Sequence, residues 1–414
     1  MTALRSENRT SLLAPANPAP SAGGLFAPLW ASLARRVAQQ IDLGLASGLL
    51  RVTFPDGSSL TLGGRTPGIA AEAVLHNWRG LVRLATGGSI GLYQGWEAGE
   101  WSSHDPVQVF ALFVANAKAL GNTARAGGPW RWAARAAHWL HRNTRAGARR
   151  NIHAHYDLGN DFYAAWLDPE LIYSSARFGL PGESLAVAQR RKLDAIAERV
   201  AGAKSVLEIG CGWGALAQHL HDAGMAVTAI SLSDAQLDWA RQHRATAIDF
   251  RKIDYRDVQG QFDAIVSVEM VEAVGREYWA DFFSCLSRCL KPGGCAAIQY
   301  IAIREDLFPA YAANADFIQA YVFPGGMLVS EAEFRRLSQA HGLEWSAQED
   351  FPLDYAETLR IWRENFDAAI SAGGLPIQFD PRFQRLWRFY LMYCEGGFRG
   401  GGITVAQVTL RKSI

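Results

Sequence analysis

The stretch Val206-Leu-Glu-Ile-Gly-Cys-Gly-Trp-Gly214 decides the fold. A short strand-like run carries Glu208 into a loop with glycines at 210, 212 and 214, and a helical pattern starts at Ala215. Glycines in such a loop let the backbone pass close to a ligand and take positive φ where a side chain would clash. Outward from this point, strand and helix patterns alternate. Ser205-Val-Leu-Glu-Ile, Ala226-Val-Thr-Ala-Ile, Phe262-Asp-Ala-Ile-Val-Ser-Val and Gly294-Cys-Ala-Ala-Ile read as buried strands separated by helices. The alternation predicts an α/β domain with a doubly wound, mostly parallel sheet. Ile403-Thr-Val-Ala-Gln-Val-Thr-Leu410 alternates like a late strand added to it.

The rest of the chain is organised around that domain. Its 414 residues are more than one domain usually holds, and a formal net charge of +1 identifies no partner. The five cysteines are odd in number, and none has metal-ligand spacing to following histidines. Cys285 and Cys289 sit four apart, as on one helix. Buried free thiols in a reducing cytoplasm account for them better than disulfides or a metal site. Residues 1–24, rich in Ala, Pro, Ser and Asn, read as a disordered tail without the apolar run of a signal peptide. No stretch is long and apolar enough to span a bilayer.

Residues 25–122 read as a small α+β accessory domain. A helical pattern runs from Ala27 to Leu45, and a hairpin joins Leu50-Arg-Val-Thr-Phe54 to Ser59-Leu-Thr-Leu62 across Pro55-Asp-Gly-Ser58. A second strand-like region runs from Leu81 to Tyr93. Residues 123–150 form a basic aromatic linker. Seven arginines fall between 125 and 150, with Trp130, Trp132 and Trp139 interleaved and no acid between Asp105 and Asp157. Such a run is either a solvated connector or an interfacial segment, with arginines at lipid phosphates and tryptophans at headgroup level. Residues 151–414 are then the catalytic domain.

A Gly-x-Gly-x-Gly loop is a weak signal alone, and a dinucleotide site competes for it. Three features favour S-adenosylmethionine. Glu208 stands two residues before the first glycine, as in the class I methyltransferase motif that this stretch resembles, and that resemblance implies a seven-stranded sheet. The spacing departs from Gly-x-Gly-x-x-Gly. Asp254 and Tyr255 follow the third strand, where that class commonly holds adenine. No acid stands at the ribose position; Ile230-Ser-Leu-Ser-Asp-Ala-Gln236 instead offers Ser231 and Gln236, with Asp234 as the alternative and Ser233 as a helix N-cap. Trp213 reads as packing, and His219 with His221 as helix surface.

Several blocks further along the chain carry a more specific resemblance. Asn151-Ile-His-Ala-His-Tyr-Asp-Leu-Gly-Asn-Asp-Phe-Tyr163, Leu167-Asp-Pro169, Tyr173-Ser-Ser-Ala176, Asp254-Tyr-Arg-Asp257, Phe323-Pro-Gly-Gly326, Trp362-Arg-Glu-Asn-Phe366 and Tyr393-Cys-Glu-Gly-Gly-Phe-Arg399 occur in order. On these blocks the chain resembles the cyclopropane-fatty-acyl-phospholipid synthases, strongly over 151–410. The likeness extends weakly to Gly91-Leu-Tyr-Gln-Gly-Trp-Glu-Ala-Gly-Glu-Trp101. The resemblance adds Tyr173 and Ser174 to the residues expected at the cofactor.

The chemistry this implies is demanding. An isolated alkene is a poor nucleophile, so the methyl sulfonium must be held close and in line while water is excluded. Methyl transfer leaves a carbocation, and removing a proton from the new methyl group closes a cyclopropane ring. The resemblance implies a bound bicarbonate as the base, held by a cysteine, a glutamate, histidines and a tyrosine. Glu272 matches the glutamate and Tyr355 the tyrosine, with Tyr156 as a partner for Glu272. The cysteine, however, is Ser175, and the two histidines are Ala273 and Gln299. No imidazole remains to pair with an anion, although Ser175, Gln299 and backbone groups can still donate.

A second carboxylate, Glu269, stands three residues before Glu272, where the family commonly has glycine. Two carboxylates close together in an apolar site raise one pKa and make a competent proton acceptor. The alternative is that Glu269 faces solvent or pairs with an arginine. The leading expectation is therefore a cyclopropane fatty acid formed in phospholipid, with S-adenosylmethionine as donor and bicarbonate as base. Its alternatives are C-methylation to a methylated alkene or exocyclic methylene, and a lipid-binding relative without catalysis. The intact glycine loop, Glu272 and Tyr355 oppose the last. The expected partners are an unsaturated phospholipid acyl chain and the inner face of the membrane, approached from the cytoplasm. Neither nucleic acid nor a metal is expected, and a homodimer is compatible with the sequence.

Overall fold

Short β-branched and apolar runs alternate with amphipathic helices along most of the chain. The computed structural model describes residues 27–121 and 158–414; the N-terminal tail, the basic aromatic stretch and Tyr156 lie outside them. Contacts divide the chain into two compact units.

The first unit is built on a four-stranded sheet. Strands β1 (Leu49–Thr53) and β2 (Ser59–Gly63) pair antiparallel across the expected turn. There the Asp56 carboxylate accepts from the Ser58 N–H at 3.0 Å, and Gly57 takes a φ of 79°. Strand β3 (Ala70–Leu75) runs parallel to β1, and β4 (Trp101–Ser102) closes the order β2-β1-β3-β4.

The region from Leu81 to Tyr93, expected as strand-like, is instead part of a helix spanning Arg79–Glu97. Its buried residues include Leu81, Leu84, Gly88 and Gly91, a helical stripe in which glycines stand where apolar side chains would mark the period. The helix kinks at Gly88 (φ 56°, ψ −135°), and a Cβ at Gly91 would lie 1.9 Å from the Arg83 carbonyl oxygen. Glycine is thus required for the folded-back backbone, and it hides the helical period from the sequence.

Asp306–Pro324 and Asp380–Gly402, expected within the catalytic half, group with the N-terminal elements. The helix Pro381–Arg399 packs close against the helix Pro106–Ala115: a Cβ on Gly396 would stand 2.5 Å from the Phe110 Cβ. Tyr93, Phe317 and Phe389 cluster nearby, with ring centroids 4.8–5.2 Å apart.

The second unit contains the expected sheet. Strands β5 (Ser205–Ile209), β6 (Ala226–Ser231), β7 (Asp249–Lys252), β8 (Phe262–Val268), β9 (Leu290–Ile303), β11 (Leu343–Asp350) and β12 (Ile403–Lys412) lie in the order β11-β12-β9-β8-β5-β6-β7. A two-residue strand, β10 (Val329–Ser330), pairs with β9 off this path. Strands β5 to β9 are parallel, and β12 inserts antiparallel between β9 and β11.

Strand order reverses between β5 and β8, so the loops leaving their carboxyl ends diverge and open a crevice. The helix Leu185–Arg199 buries Leu185, Ala188, Gln189, Lys192, Leu193 and Ile196. That stripe has helical spacing and places two polar residues inside. All five cysteines are free thiols. Among the described residues no helix is long and apolar enough to cross a membrane, and no cluster of His, Cys, Asp and Glu could hold a metal.

Candidate functional site

The loops after β5, β6, β7 and β8 converge on one cavity of about 1240 Å³, counted out to its open mouth. From β5 come Glu208, Gly210 and Gly212; from β6, Ser231 and Gln236; from β7, Asp254 and Tyr255; from β8, Glu269 and Met270. Tyr173, Ser174 and Trp213 complete the lining. Gly210, Gly212 and Gly214 all have positive φ, at 84°, 53° and 77°.

The three glycines are not equivalent. A Cβ at Gly210 would meet the Met270 side chain at 2.8 Å, and one at Gly214 would meet Phe250 at 2.9 Å. A Cβ at Gly212 would enter open space. Gly214 therefore serves packing, and Gly212 keeps the cavity free.

The polar lining is ordered from beneath. Ser233 caps the helix Asp234–His243 by accepting from the Gln236 N–H at 3.3 Å, and the Ser231 hydroxyl donates to the Gln236 Oε1 at 3.1 Å. Asp234 points elsewhere, paired with Lys252 at 2.6 Å. Asp254 is buried and paired with Arg256 at 2.6 Å, and the Arg256 guanidinium lies over the Tyr255 and Tyr278 rings. Tyr173 packs among Tyr163, Trp166 and Trp362. Trp213 is buried as packing but also lines the cavity, its Nε1–H donating to Asn160 at 2.9 Å. His219 pairs with Asp194 at 3.0 Å.

Beside the cavity wall lies a second cluster. Glu269, just past the end of β8, has a φ of 49°, a left-handed conformation rare for a residue with a side chain. Its N–H donates to the Gln299 carbonyl at 2.8 Å. Its carboxylate accepts three hydrogen bonds, from the Ser175 N–H (2.9 Å), the Gln299 Nε2 (2.8 Å) and the Tyr355 hydroxyl (2.6 Å). Glu269 is half-buried with its carboxylate on these donors and not turned to solvent, and no arginine pairs with it among the described residues. Burial raises the Glu269 pKa, while Tyr355, Ser175, Gln299 and the Lys192 charge oppose it. A carboxyl group ringed only by donors is held as the anion.

Ser175, Gln299 and Tyr355 were expected to hold a bicarbonate; here they hold the chain's own carboxylate. Ser175 contributes its N–H and not its hydroxyl, which donates to the Ala176 carbonyl at 2.9 Å. Glu272 is half-buried with its carboxyl group turned inward: its Oε1 accepts from the Ile301 N–H, and its Oε2 is buried without a partner among the described residues. Burial first, and then the Glu269 charge, push its pKa up to about 8. Of the two carboxyl groups, Glu272 is the one that stays protonated at neutral pH.

Three residues of this cluster escaped the sequence reading. Gln407, paired in register with Gln299 across β12 and β9, donates its Nε2 to the Gln299 Oε1 at 3.0 Å. That contact fixes which end of the Gln299 amide faces Glu269. Thr358, one helical turn from Tyr355, accepts from the Ala176 N–H at 3.1 Å. Lys192 is fully buried and donates to the Ser174 hydroxyl at 2.7 Å. A signal existed for two of them, since Gln407 and Lys192 are polar residues at core positions of otherwise apolar patterns.

A family model described as mycolic acid cyclopropane synthetase matches residues 143–408. The chain belongs to the mycolic acid cyclopropane synthetase family. Like other members of that family, it is an S-adenosylmethionine-dependent methyltransferase. It is similar to the tuberculostearic acid methyltransferase of Mycobacterium tuberculosis, at 37% identity over 94% of this chain and 92% of that protein. It is also 35% identical to the cyclopropane-fatty-acyl-phospholipid synthase of Escherichia coli, over 63% of this chain and 67% of that one. Among solved structures, a mycolic acid cyclopropane synthase complexed with SAH and CTAB superposes with a TM-score of 0.58 at 27% identity. The match covers 64% of this chain and 98% of that chain.

The cavity of this family member suits the methyl donor. Glu208 is buried with its Oε2 unpartnered among the described residues, and burial pushes its pKa up to about 8. A buried carboxyl oxygen left without a donor fits the ammonium of a methionine moiety, whose charge would draw it back to the anion.

Proposed function

We propose that the protein transfers the methyl group of S-adenosylmethionine to a double bond in the acyl chain of a phospholipid, and that Glu269 takes up the proton which the methylated chain then loses. The donor supplies an electrophilic methyl group on sulfur. Gly210, Gly212 and Glu208 are assigned to its methionine end, Ser231 and Gln236 to the ribose, and Asp254 with Tyr255 to the adenine. Tyr173 and Ser174 close the same cavity. One sulfur–carbon bond breaks, one carbon–carbon bond forms from the alkene π pair, and one proton leaves. The lipid gains a net CH2.

The observation that carries this reading is the Glu269 carboxylate, held by Ser175, Gln299 and Tyr355 in the wall of the cofactor cavity. Its three hydrogen bonds leave it ionised, and burial keeps it more basic than a surface carboxylate. Glu272, neutral below about pH 8, stands beside it without competing for the proton. An internal base of this kind needs no bicarbonate.

The product favoured is the methylated one, an alkene or exocyclic methylene. Its support is similarity over almost the whole chain to the tuberculostearic acid methyltransferase. The cyclopropane is the second reading, supported by the family model and by the likeness to the Escherichia coli synthase. Access to the acyl chain from the cytoplasmic membrane surface belongs to the same proposal.

Expression in cells rich in monounsaturated lipid, followed by mass spectrometry of the fatty acids, separates the two. A gain of CH2 with a double bond retained is expected; the same gain without one means the ring. Glu269→Gln keeps the shape but cannot accept a proton, and should slow turnover by about 10²–10⁴-fold. Glu269→Gly frees the same three donors, and added bicarbonate should then restore part of the rate. A Glu269→Gln enzyme with normal turnover would remove Glu269 as the base.

A further inference from the structure

The helix Leu185–Arg199 turns two polar side chains into the core, Gln189 and Lys192, spaced one turn apart. Both grip Ser174. The Gln189 Nε2 donates to the Ser174 carbonyl at 2.9 Å, and the Lys192 Nζ donates to its hydroxyl at 2.7 Å. The next residue, Ser175, is the one whose N–H holds Glu269. Lys192 also borders the cofactor cavity directly. Its ammonium has three protons to donate, and Ser174 is its one hydrogen-bond partner among the described residues.

A buried ammonium with so few hydrogen bonds is costly unless charge repays it. Three carboxyl groups act on its charge: Asp168 after the helix Asn160–Ala164, and Glu208 on β5 and Glu269 past β8, which line the same cavity as Lys192. Glu269 in turn accepts from the Tyr355 hydroxyl, and its charge acts on Glu272. Arg244 also acts on Glu208, while Glu170 acts on Asp168.

We propose that Lys192 is a positioning residue for methyl transfer: it fixes Ser174 and Ser175 against the cavity and supplies the positive charge that keeps Glu269 ionised and ready to take a proton. The inference rests on the reading of Glu269 as the base. Lys192 is not itself the base, because its proton is engaged with Ser174 and it faces three carboxyl groups that favour the charged form. Burial lowers its own pKa to about 8, against the pull of Glu269, Asp168 and Glu208. The charge is therefore present at neutral pH and fades above that value.

The sign of the effect follows from this arrangement. Removing the positive charge raises the Glu269 pKa, so the base becomes protonated at a higher pH and the acid limb of the rate profile moves upward. The test is the pH dependence of kcat/KM for wild type, Lys192→Met and Lys192→Arg with S-adenosylmethionine and monounsaturated phospholipid vesicles. Lys192→Met should shift the acid limb up by at least one unit, about tenfold in rate on that limb. Lys192→Arg, which keeps the charge, should leave the acid limb in place and extend activity on the alkaline side.

A Lys192→Met profile lowered equally at every pH, with its acid limb unmoved, would overturn the proposal and leave Lys192 as packing. Should Lys192→Met fail to fold, Lys192→Gln keeps a donor to Ser174 without the charge and carries the same comparison. Glu269→Gln separates the two levels of the argument. If that variant is fully active, the base assignment fails; if it is inactive while the Lys192→Met limb stays put, only the role of Lys192 fails.

Discussion

At the scale of single residues, the site turns on where two glutamates three positions apart send their side chains. The spacing in the sequence allowed Glu269 to be a base, a solvent-facing residue or a partner of arginine. What decides is a backbone torsion: the positive φ at Glu269 turns its carboxylate onto the Ser175, Gln299 and Tyr355 donors. Strain of this kind, of order 1–3 kcal/mol, persists where the surroundings over-determine it, and function is the usual reason. Glu272 has the opposite environment, with one backbone donor and an oxygen that no described residue satisfies. Its raised pKa has a consequence for stability. Between the ordinary carboxylate range and about pH 8 the folded protein holds a proton on Glu272 that the unfolded chain releases, so its contribution is full at low pH and is lost as pH rises through that window. Glu272→Gln, neutral at every pH, should lack this slope. Relative to wild type it should gain up to about 1.4 kcal/mol per pH unit across the window, as read from urea midpoints at pH 5 and pH 8. A constant difference between the two proteins at both values would mean that Glu272 titrates normally.

At the scale of elements, β5, β6 and β8 were legible because each is a short run rich in β-branched residues and bounded by turn residues. Ser205–Ile209 and Phe262–Val268 have the limits their patterns suggest. The helix Arg79–Glu97 was not, because glycines occupy the stripe that should announce it. Gln407 and Lys192 were missed for a related reason. Each is a polar residue inside an apolar pattern, which signals burial, but each lies on an element far along the chain from Glu269, so the pattern does not say which site it serves. The glycine loop was legible as a whole but not glycine by glycine. Gly212→Val places its side chain in the open cavity at a φ of 53°, and Gly214→Val drives its own into Phe250 and Ala240. The first should abolish S-adenosylmethionine binding in a calorimetric titration while costing about 1 kcal/mol of stability. The second adds overpacking to the same backbone strain and should lose a further 1–3 kcal/mol or so. If the Gly212 variant bound the donor normally, the methionine end would have to lie elsewhere in the cavity.

At the scale of the whole molecule, a linear reading assigned 25–122 to one domain and 151–414 to another. The compact units do not follow that division, since Asp306–Pro324 and Asp380–Gly402 join the N-terminal elements. Contacts such as Gly396 against Phe110 link residues nearly three hundred positions apart, and no local pattern announces them. The membrane is the whole-molecule question that sequence addresses best, through the arginines and tryptophans of residues 125–150. If the substrate is the phospholipid acyl chain proposed above, it is reached at a bilayer surface, and the described residues offer no helix able to cross one. Seven arginines without a neighbouring acid are suited to anionic headgroups, where each basic residue contributes about 1 kcal/mol and the attraction decays over roughly 8 Å at physiological salt. Replacing Arg131, Arg135, Arg142 and Arg145 by Gln should therefore weaken cosedimentation with anionic vesicles by orders of magnitude, and raising the salt should mimic the substitution. Turnover on detergent-dispersed lipid should stay near wild type, since the candidate chemistry lies with Glu269 and the glycine loop. Unchanged vesicle binding would make the stretch a solvated connector, and the protein would then have to reach its lipid by another surface.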